Sequence, residues 1–147
     1  MLPYNEAPIM MGYEFLDHTG DLGIRVWAAN VKEIFQEAAR ALFDIITDLD
    51  KVEVRITREV TVQGPGRDEL LVTWLSELLY LHEVEGLLFC DFELTEIDER
   101  SIKGMAMGDE FHEGRHTIKT SIKAVTYHQL EIKEKDGLWQ AQVIFDI

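Results

Sequence analysis

The segment from about Asp68 to Glu85 constrains the fold most, because it reads as a helix that is apolar on nearly every side. Such a helix must be buried against other elements on most of its surface. The chain has 147 residues and is 46% hydrophobic, which suits one compact domain with a sizeable core. Asp68 is the expected N-cap and Gly86 the expected end. The apolar positions of this helix are Leu70, Leu71, Val72, Trp74, Leu75, Leu78, Leu79, Tyr80 and Leu81.

The N-terminal half predicts a β-α-β order before this helix. Residues 1–12 contain two prolines and no hydrophobic period, so they are expected to form a loose extension to a domain spanning 13–147. A polar turn over 17–23 precedes a first strand that runs to about Ala29. Asn30, followed by Glu33, predicts a capped helix to about Thr47. Alternating residues 52–62 predict a strand with a break near Arg58, and Gly64-Pro65-Gly66 predicts a turn.

The C-terminal half indicates strands, so the predicted class is α+β: a single domain with two helices packed on a mostly antiparallel sheet. Strands are predicted from Leu87 onward and over 101–108, with a connection over 109–117. Residues 118–127 look like a strand with a break. Lys135-Asp136-Gly137 predicts a hairpin turn into a last alternating strand that ends at Phe145.

Charge and cysteine content narrow the functional classes. The net charge of −14 argues against extensive direct binding of nucleic acid. It is consistent with an acidic surface that aids solubility, with docking on a basic partner or with a bound cation. The one cysteine, Cys90, forms no internal disulfide and is expected to be a buried, inert thiol. No signal-peptide pattern or membrane span is apparent, so we expect a cytoplasmic protein.

The acidic residues near both ends of the domain suggest a cation site. Asp21, Asp146 and the carboxylate of Ile147 supply oxygen ligands if the last strand lies beside the first. Asp17 is a further donor, with His18 next to it. The alternative interpretation is that Asp17 caps a turn and Asp146 is a solvated chain end.

Two other sets of residues carry weaker signals. The five histidines show no metal-protease spacing, and no histidine metal site is expected. Lys123 lies among apolar neighbours on a predicted strand. It either points into solvent or contacts a phosphate or a carboxylate of a partner.

Three signatures in the correct order resemble the archease family. They are the run Tyr13 to Asp21, the Lys-Ala-Val-Thr-Tyr run that begins at Lys123, and the ending Asp146-Ile147. The resemblance extends from about residue 12 to 147. Gly20 departs from it, since the family usually has alanine there.

The resemblance implies a non-catalytic activator of the RtcB-type RNA ligase that acts in tRNA splicing and RNA repair. It implies that the protein promotes guanylylation of the ligase's active-site histidine, supports multiple turnover and broadens nucleotide use. It also implies a divalent metal, calcium in structures with Mg²⁺ or Mn²⁺ as alternatives, bound by Asp21, Asp146 and Ile147. Lys123 corresponds to the family's functional lysine, and Asp17 and His18 are assigned supporting roles. No catalytic residue and no membrane partner is implied.

Two alternatives remain open from the sequence. One is a chaperone or adaptor that binds through its surface and needs no metal. The other is a stand-alone metal-dependent hydrolase, which is disfavoured because no general base lies convincingly beside the acidic residues.

Overall fold

The computed structural model describes residues 11–18 and 20–147 of the chain, without the side chain of His18. Within these residues, two α-helices and eight strands follow one another, with a short 3-10 helix at Leu49–Lys51 between α1 and β3. None of the described helices is long and apolar enough to cross a membrane. The elements are β1 (Gly12–His18), β2 (Asp21–Ala28), α1 (Val31–Ile46), β3 (Ile56–Gln63), α2 (Arg67–Glu85), β4 (Leu87–Ile97), β5 (Ser101–Glu110), β6 (Ala124–Val125), β7 (Glu131–Lys135) and β8 (Leu138–Asp146).

The strands form two antiparallel sheets. The larger sheet has the order β1-β2-β8-β6, with β7 also paired to β8, and the smaller has the order β3-β5-β4. Both helices contribute to one core with the inner faces of these sheets. The indole N–H of Trp74 in α2 donates a buried hydrogen bond of 3.0 Å to the carbonyl of Phe35 in α1. The predicted α+β class is confirmed, with two sheets where the prediction named one.

Helix α1 begins as the sequence predicts. The Asn30 side chain accepts a hydrogen bond of 2.9 Å from the Glu33 backbone N–H, which satisfies one of the free donors of the first turn. Arg40 on the same helix donates to the carbonyl of Cys90 at the edge of β4. Cys90 is partly exposed rather than buried, and what burial it has raises the pKa of its thiol. The thiolate is therefore disfavoured, as the inert role requires.

Helix α2 is buried on most sides but begins without a side-chain cap. Its N-cap is Gly66, and Asp68 lies inside the first turn instead of capping it. An acidic residue there still interacts favourably with the positive end of the helix dipole. Gly86 ends the helix in the left-handed conformation (φ 71°), as predicted. Tyr80, counted among the apolar positions, is 52% exposed.

The prediction missed strand β1. Gly12 is predicted to end the extension and 17–18 to begin the turn, with no element predicted between them, whereas 12–18 pairs along its length with β2. Its pattern is weak because β1 is an edge strand, and the adjacent apolar pair Phe15-Leu16 breaks the alternation. Gly12 already belongs to β1, while the rest of the predicted extension, apart from Met11, lies outside the described residues.

Two other predicted strands are shorter than expected. The strand predicted over 52–62 begins only at Ile56 and continues through Arg58 without a break. Of the predicted 118–127 strand, only Ala124 and Val125 pair with β8. Residues before Ala124 lie past the last residue of β8, Asp146, and β7 occupies the same edge of β8 over 138–142, so β6 is confined to the end of that edge. The Asp136-Gly137 hairpin is confirmed, with positive φ at both residues.

Candidate functional site

The first residue of β2 and the last residue of β8 face each other. The antiparallel register places Asp21 opposite Asp146, and on its other side Asp21 is opposite His18 of β1. The two ends of the domain therefore meet, as the sequence predicts. Asp146 is exposed and Asp21 partly exposed. We refer to Asp21, Asp146 and Ile147 as the acidic end of the sheet.

The alternation of side chains along β2 and β8 fixes which face of the sheet the acidic end occupies. Leu22 and Phe145, the next opposed pair, pack into or against the core. Because successive side chains point to opposite faces, Asp21 and Asp146 lie on the face away from the core. Asp17 is opposite Leu22, so its register position is on the other face.

The acidic end has the donor chemistry of a hard-cation site. Two carboxylates directly opposite each other in an antiparallel pair repel, and a bound cation removes this repulsion. Carboxylate oxygens are the ligands that Ca²⁺ and Mg²⁺ prefer. Among the described residues there is no group of three or more His, Cys, Asp or Glu side chains arranged to hold a metal. A metal here therefore needs the Ile147 carboxylate, backbone oxygens or water in addition to the two aspartates.

Lys123 is joined to the acidic end through its backbone. Its N–H donates a hydrogen bond of 2.7 Å to the Asp146 carbonyl, and the next residue, Ala124, is opposite Asp146 in the ladder. The Lys123 side chain is exposed and lines a groove together with Tyr80 and Glu83 of α2. Lys123 and Asp146 are therefore neighbours across the backbone pairing of the sheet, but their side chains face different sides of it.

Sequence reasoning did not identify the α2 wall of this groove. Ser76, Tyr80 and Glu83 line it, although their helix was interpreted only as a core element. The available signal was their spacing of four and three residues, which places them on one helix face. Tyr80 is aromatic but also carries a hydroxyl, which makes it suited to the rim of a groove rather than to a core.

Other chemically distinctive residues have structural roles. The Tyr13 hydroxyl donates a hydrogen bond of 2.9 Å to Asp44 of α1. Burial of the hydroxyl and, as the next largest cause, this hydrogen bond raise the pKa of Tyr13. His116 is buried and its Nδ1 accepts the N–H of His112. His82 contacts the Leu87 carbonyl through Nδ1. The imidazoles of His82 and His116 are thus engaged with the backbone near their own elements.

A buried acidic residue, Asp109, lies at the end of β5. Its burial acts to raise its pKa, but the hydrogen bond from Arg115, the Glu110 N–H and the charges of Arg115 and Arg55 lower it overall. The Asp109 carboxylate lies 2.9 Å from Arg115 and 3.3 Å from Arg55. This cluster fixes the start of the 111–123 connection, which leads to Lys123.

Comparison with known proteins gives one consistent result. A family model described as the archease protein family (MTH1598/TM1083) matches residues 13–147. A protein archease from Methanosarcina mazei is 45% identical over 139 residues, covering 92% of this chain and 95% of that protein. Another, from Methanopyrus kandleri, is 41% identical over 140 residues, covering 93% of this chain and 100% of that protein.

Solved structures agree with the sequence matches. The solution structure of Methanobacterium thermoautotrophicum protein 1598 has a TM-score of 0.79 at 37% identity and covers 92% of this chain and 99% of that one. The crystal structure of an archease from Thermotoga maritima, named there a possible chaperone, has a TM-score of 0.60 at 17% identity. It covers 99% of this chain and 100% of that one, and at this identity it shows the fold alone.

Proposed function

The chain belongs to the archease protein family, and on that premise we propose that it is an accessory activator of an RtcB-type RNA ligase. In this role it promotes guanylylation of the ligase's active-site histidine, supports multiple turnover and broadens nucleotide use, in tRNA splicing and RNA repair. It has no catalytic residue of its own and acts in the cytoplasm. The proposal takes the ligase and its reaction from the family resemblance.

The observation that carries the proposal is the opposition of Asp21 and Asp146, with the Lys123 N–H bonded to the Asp146 carbonyl. Segments that are far apart in the sequence, and that carry the three signatures of the resemblance, converge at one end of the larger sheet. A structural role alone does not favour two like charges directly opposite each other. Their convergence supports a shared site.

We assign Asp21, Asp146 and Ile147 as the residues that hold a divalent cation, Ca²⁺ with Mg²⁺ or Mn²⁺ as alternatives. A bound cation neutralises charge on phosphate oxygens, which is a major requirement of phosphoryl-type transfer. The two aspartates hold the cation at an exposed strand end, where a nucleotide bound to the partner can reach it. Asp17 and His18 remain assigned to support of the adjoining turn.

Charge and the position of Lys123 are consistent with docking on a ligase. An acidic protein, with net charge −14, is attracted to a cleft that must be basic to hold RNA. Lys123 supplies a local positive charge on the α2 side, where it contacts a phosphate or a carboxylate of the partner. Its backbone bond to Asp146 fixes the distance between the two features.

The test is a guanylylation assay with a cognate ligase and GTP, with and without this protein. We expect Asp21→Ala to abolish the stimulation and Lys123→Ala to reduce it, while both variants keep the fold by circular dichroism. Glu93→Ala is the matched control, because Glu93 is an exposed carboxylate on β4, in the other sheet. Full stimulation by Asp21→Ala would refute the proposal.

A metal-independent chaperone or adaptor is the second candidate, favoured by exposed apolar side chains. Tyr80 and Val84 on α2 and Tyr127 after β6 are each more than half exposed. A surface adaptor should tolerate removal of Asp146 and Ile147, whereas the activator should not. Stimulation that persists after this truncation would favour the adaptor.

A further inference from the structure

Gly23 and Ile144 form the next opposed pair on the same face as Asp21 and Asp146. Val143 and Phe145, on either side of Ile144, belong to the core, so Ile144 points to the face away from it. Ile144 is nevertheless only 1% exposed. An isoleucine buried on that face must be covered by close local neighbours.

The space that Ile144 occupies exists because residue 23 has no side chain. A Cβ at Gly23 would lie 2.7 Å from Ile144 Cδ1, 3.2 Å from the Val143 carbonyl oxygen and 3.4 Å from Leu16 Cβ. The Cδ1 atom can move by rotation, but isoleucine is stiff at χ1 and the surrounding space is filled. The Val143 carbonyl is backbone, so a side chain at residue 23 presses on β8 itself.

We propose that Gly23 is a positioning residue for the acidic end. By leaving room for Ile144, it lets β8 lie close to β2, so that Asp146 stays opposite Asp21. The consequence for metal binding rests on the proposed function, whereas the positioning itself does not.

Two backbone hydrogen bonds report the position of the end of β8 without any metal. The Lys123 N–H donates to the Asp146 carbonyl at 2.7 Å, and the Thr126 N–H donates to the Ile144 carbonyl at 3.1 Å. If β8 moves away from β2, these bonds to its other edge are disturbed. Their amide hydrogen exchange is therefore a direct measure of the inferred positioning.

The experiment compares amide exchange in the wild-type protein, Gly23→Ala and the double variant Gly23→Ala/Ile144→Val. The valine removes Cδ1, the nearest atom to the added methyl group. We expect the Lys123 and Thr126 amides to exchange at least about tenfold faster in Gly23→Ala, and the double variant to recover most of this loss. The Leu75 amide in α2 should not change. Gly114→Ala is the control, since nothing lies within 4 Å of a Cβ there.

Calcium titration of the same variants tests the consequence. We expect the Ca²⁺ affinity of Gly23→Ala to fall about tenfold and to recover in the double variant. Unchanged exchange at Lys123 and Thr126 would overturn the inference, as would faster exchange spread equally to Leu75. If exchange changes as expected but the wild-type protein binds no Ca²⁺, Gly23 is confirmed as a positioning residue and the metal part of the proposed function fails.

Discussion

The opposed carboxylates predict that metal-free protein gains stability when one of them is neutralised. Directly opposed residues of an antiparallel pair have Cβ atoms about 4.5–5.5 Å apart. Two unit charges about 5 Å apart repel by roughly 0.8 kcal/mol in water and roughly 3 kcal/mol at an effective dielectric constant of about 20. Asp146 is exposed and Asp21 partly exposed, so the lower end applies. Asp21→Asn should therefore stabilise the metal-free protein by about 1 kcal/mol.

Thermal unfolding in EDTA and in excess Ca²⁺ measures both consequences of this substitution. A change of about 1 kcal/mol shifts Tm by about 3 °C in a domain of this size. With the proposed site, Ca²⁺ at about 100 times its Kd should stabilise the native wild-type protein by about 2.7 kcal/mol, or roughly 8 °C. The order of stability should therefore reverse: Asp21→Asn unfolds at the higher temperature in EDTA, and the wild-type protein does so in Ca²⁺.

The control separates this local repulsion from the large net charge of the chain. Glu93→Gln also removes one negative charge, but from an exposed position on β4 opposite Met105. It should change Tm little in EDTA and leave the stabilisation by Ca²⁺ intact. Equal stabilisation of Asp21→Asn and wild type by Ca²⁺ would refute the assignment of Asp21. A lower Tm of Asp21→Asn in EDTA would refute the repulsion argument.

Three further predictions concern stability alone. Gly20 has φ of 76°, so Gly20→Ala should destabilise the protein by about 1 kcal/mol in chemical unfolding, because alanine is strained there. The lowered pKa of Asp109 means that its contribution to stability is present above the unfolded-state pKa of about 3.9 and is lost as pH falls through the folded-state value. Asp109→Asn should flatten this acid dependence, and its cost near neutral pH should be about 1–3 kcal/mol, since Arg115 loses a buried partner. Asn30→Ala removes the bond to the Glu33 N–H and should cost about 1 kcal/mol, which a Gly substitution largely avoids.

Local chemistry accounts for what the sequence predicts well. The Asn30 cap, the Gly86 helix end and the Asp136-Gly137 hairpin each depend on residues within a few positions of one another, and all three are confirmed. Pairing between distant strands is a different matter. Residues 118–123 have a strand-like pattern, yet in the register that pairs Ala124 with Asp146 they lie past Asp146, the last residue of β8. No local pattern records that register.

The acidic end was only partly predictable for the same reason. The meeting of Asp21 and Asp146 follows from the first and last strands being neighbours, which the sequence suggests but does not require. The face on which Lys123 lies depends on the register of the two-residue strand β6. Ile144 Cδ1 fills the space where a Cβ of residue 23 would lie. Nothing in the sequence pattern of either strand reveals this contact.

The geometry of the acidic end is ultimately set by the core. Val143 and Phe145 are buried on the inner face of β8, and Leu22 and Ile24 lie opposite them on β2. A slip of β8 by one residue would expose both core side chains and at the same time move Asp146 to the other face. The free energy that holds Asp146 against the repulsion of Asp21 is therefore the burial of Phe145, which at about 1.5–3 kcal/mol exceeds a repulsion of about 1 kcal/mol. Because the opposed carboxylates are held by hydrophobic packing rather than by their own interactions, they remain opposed without a cation, which is the geometry that the proposed cation site requires.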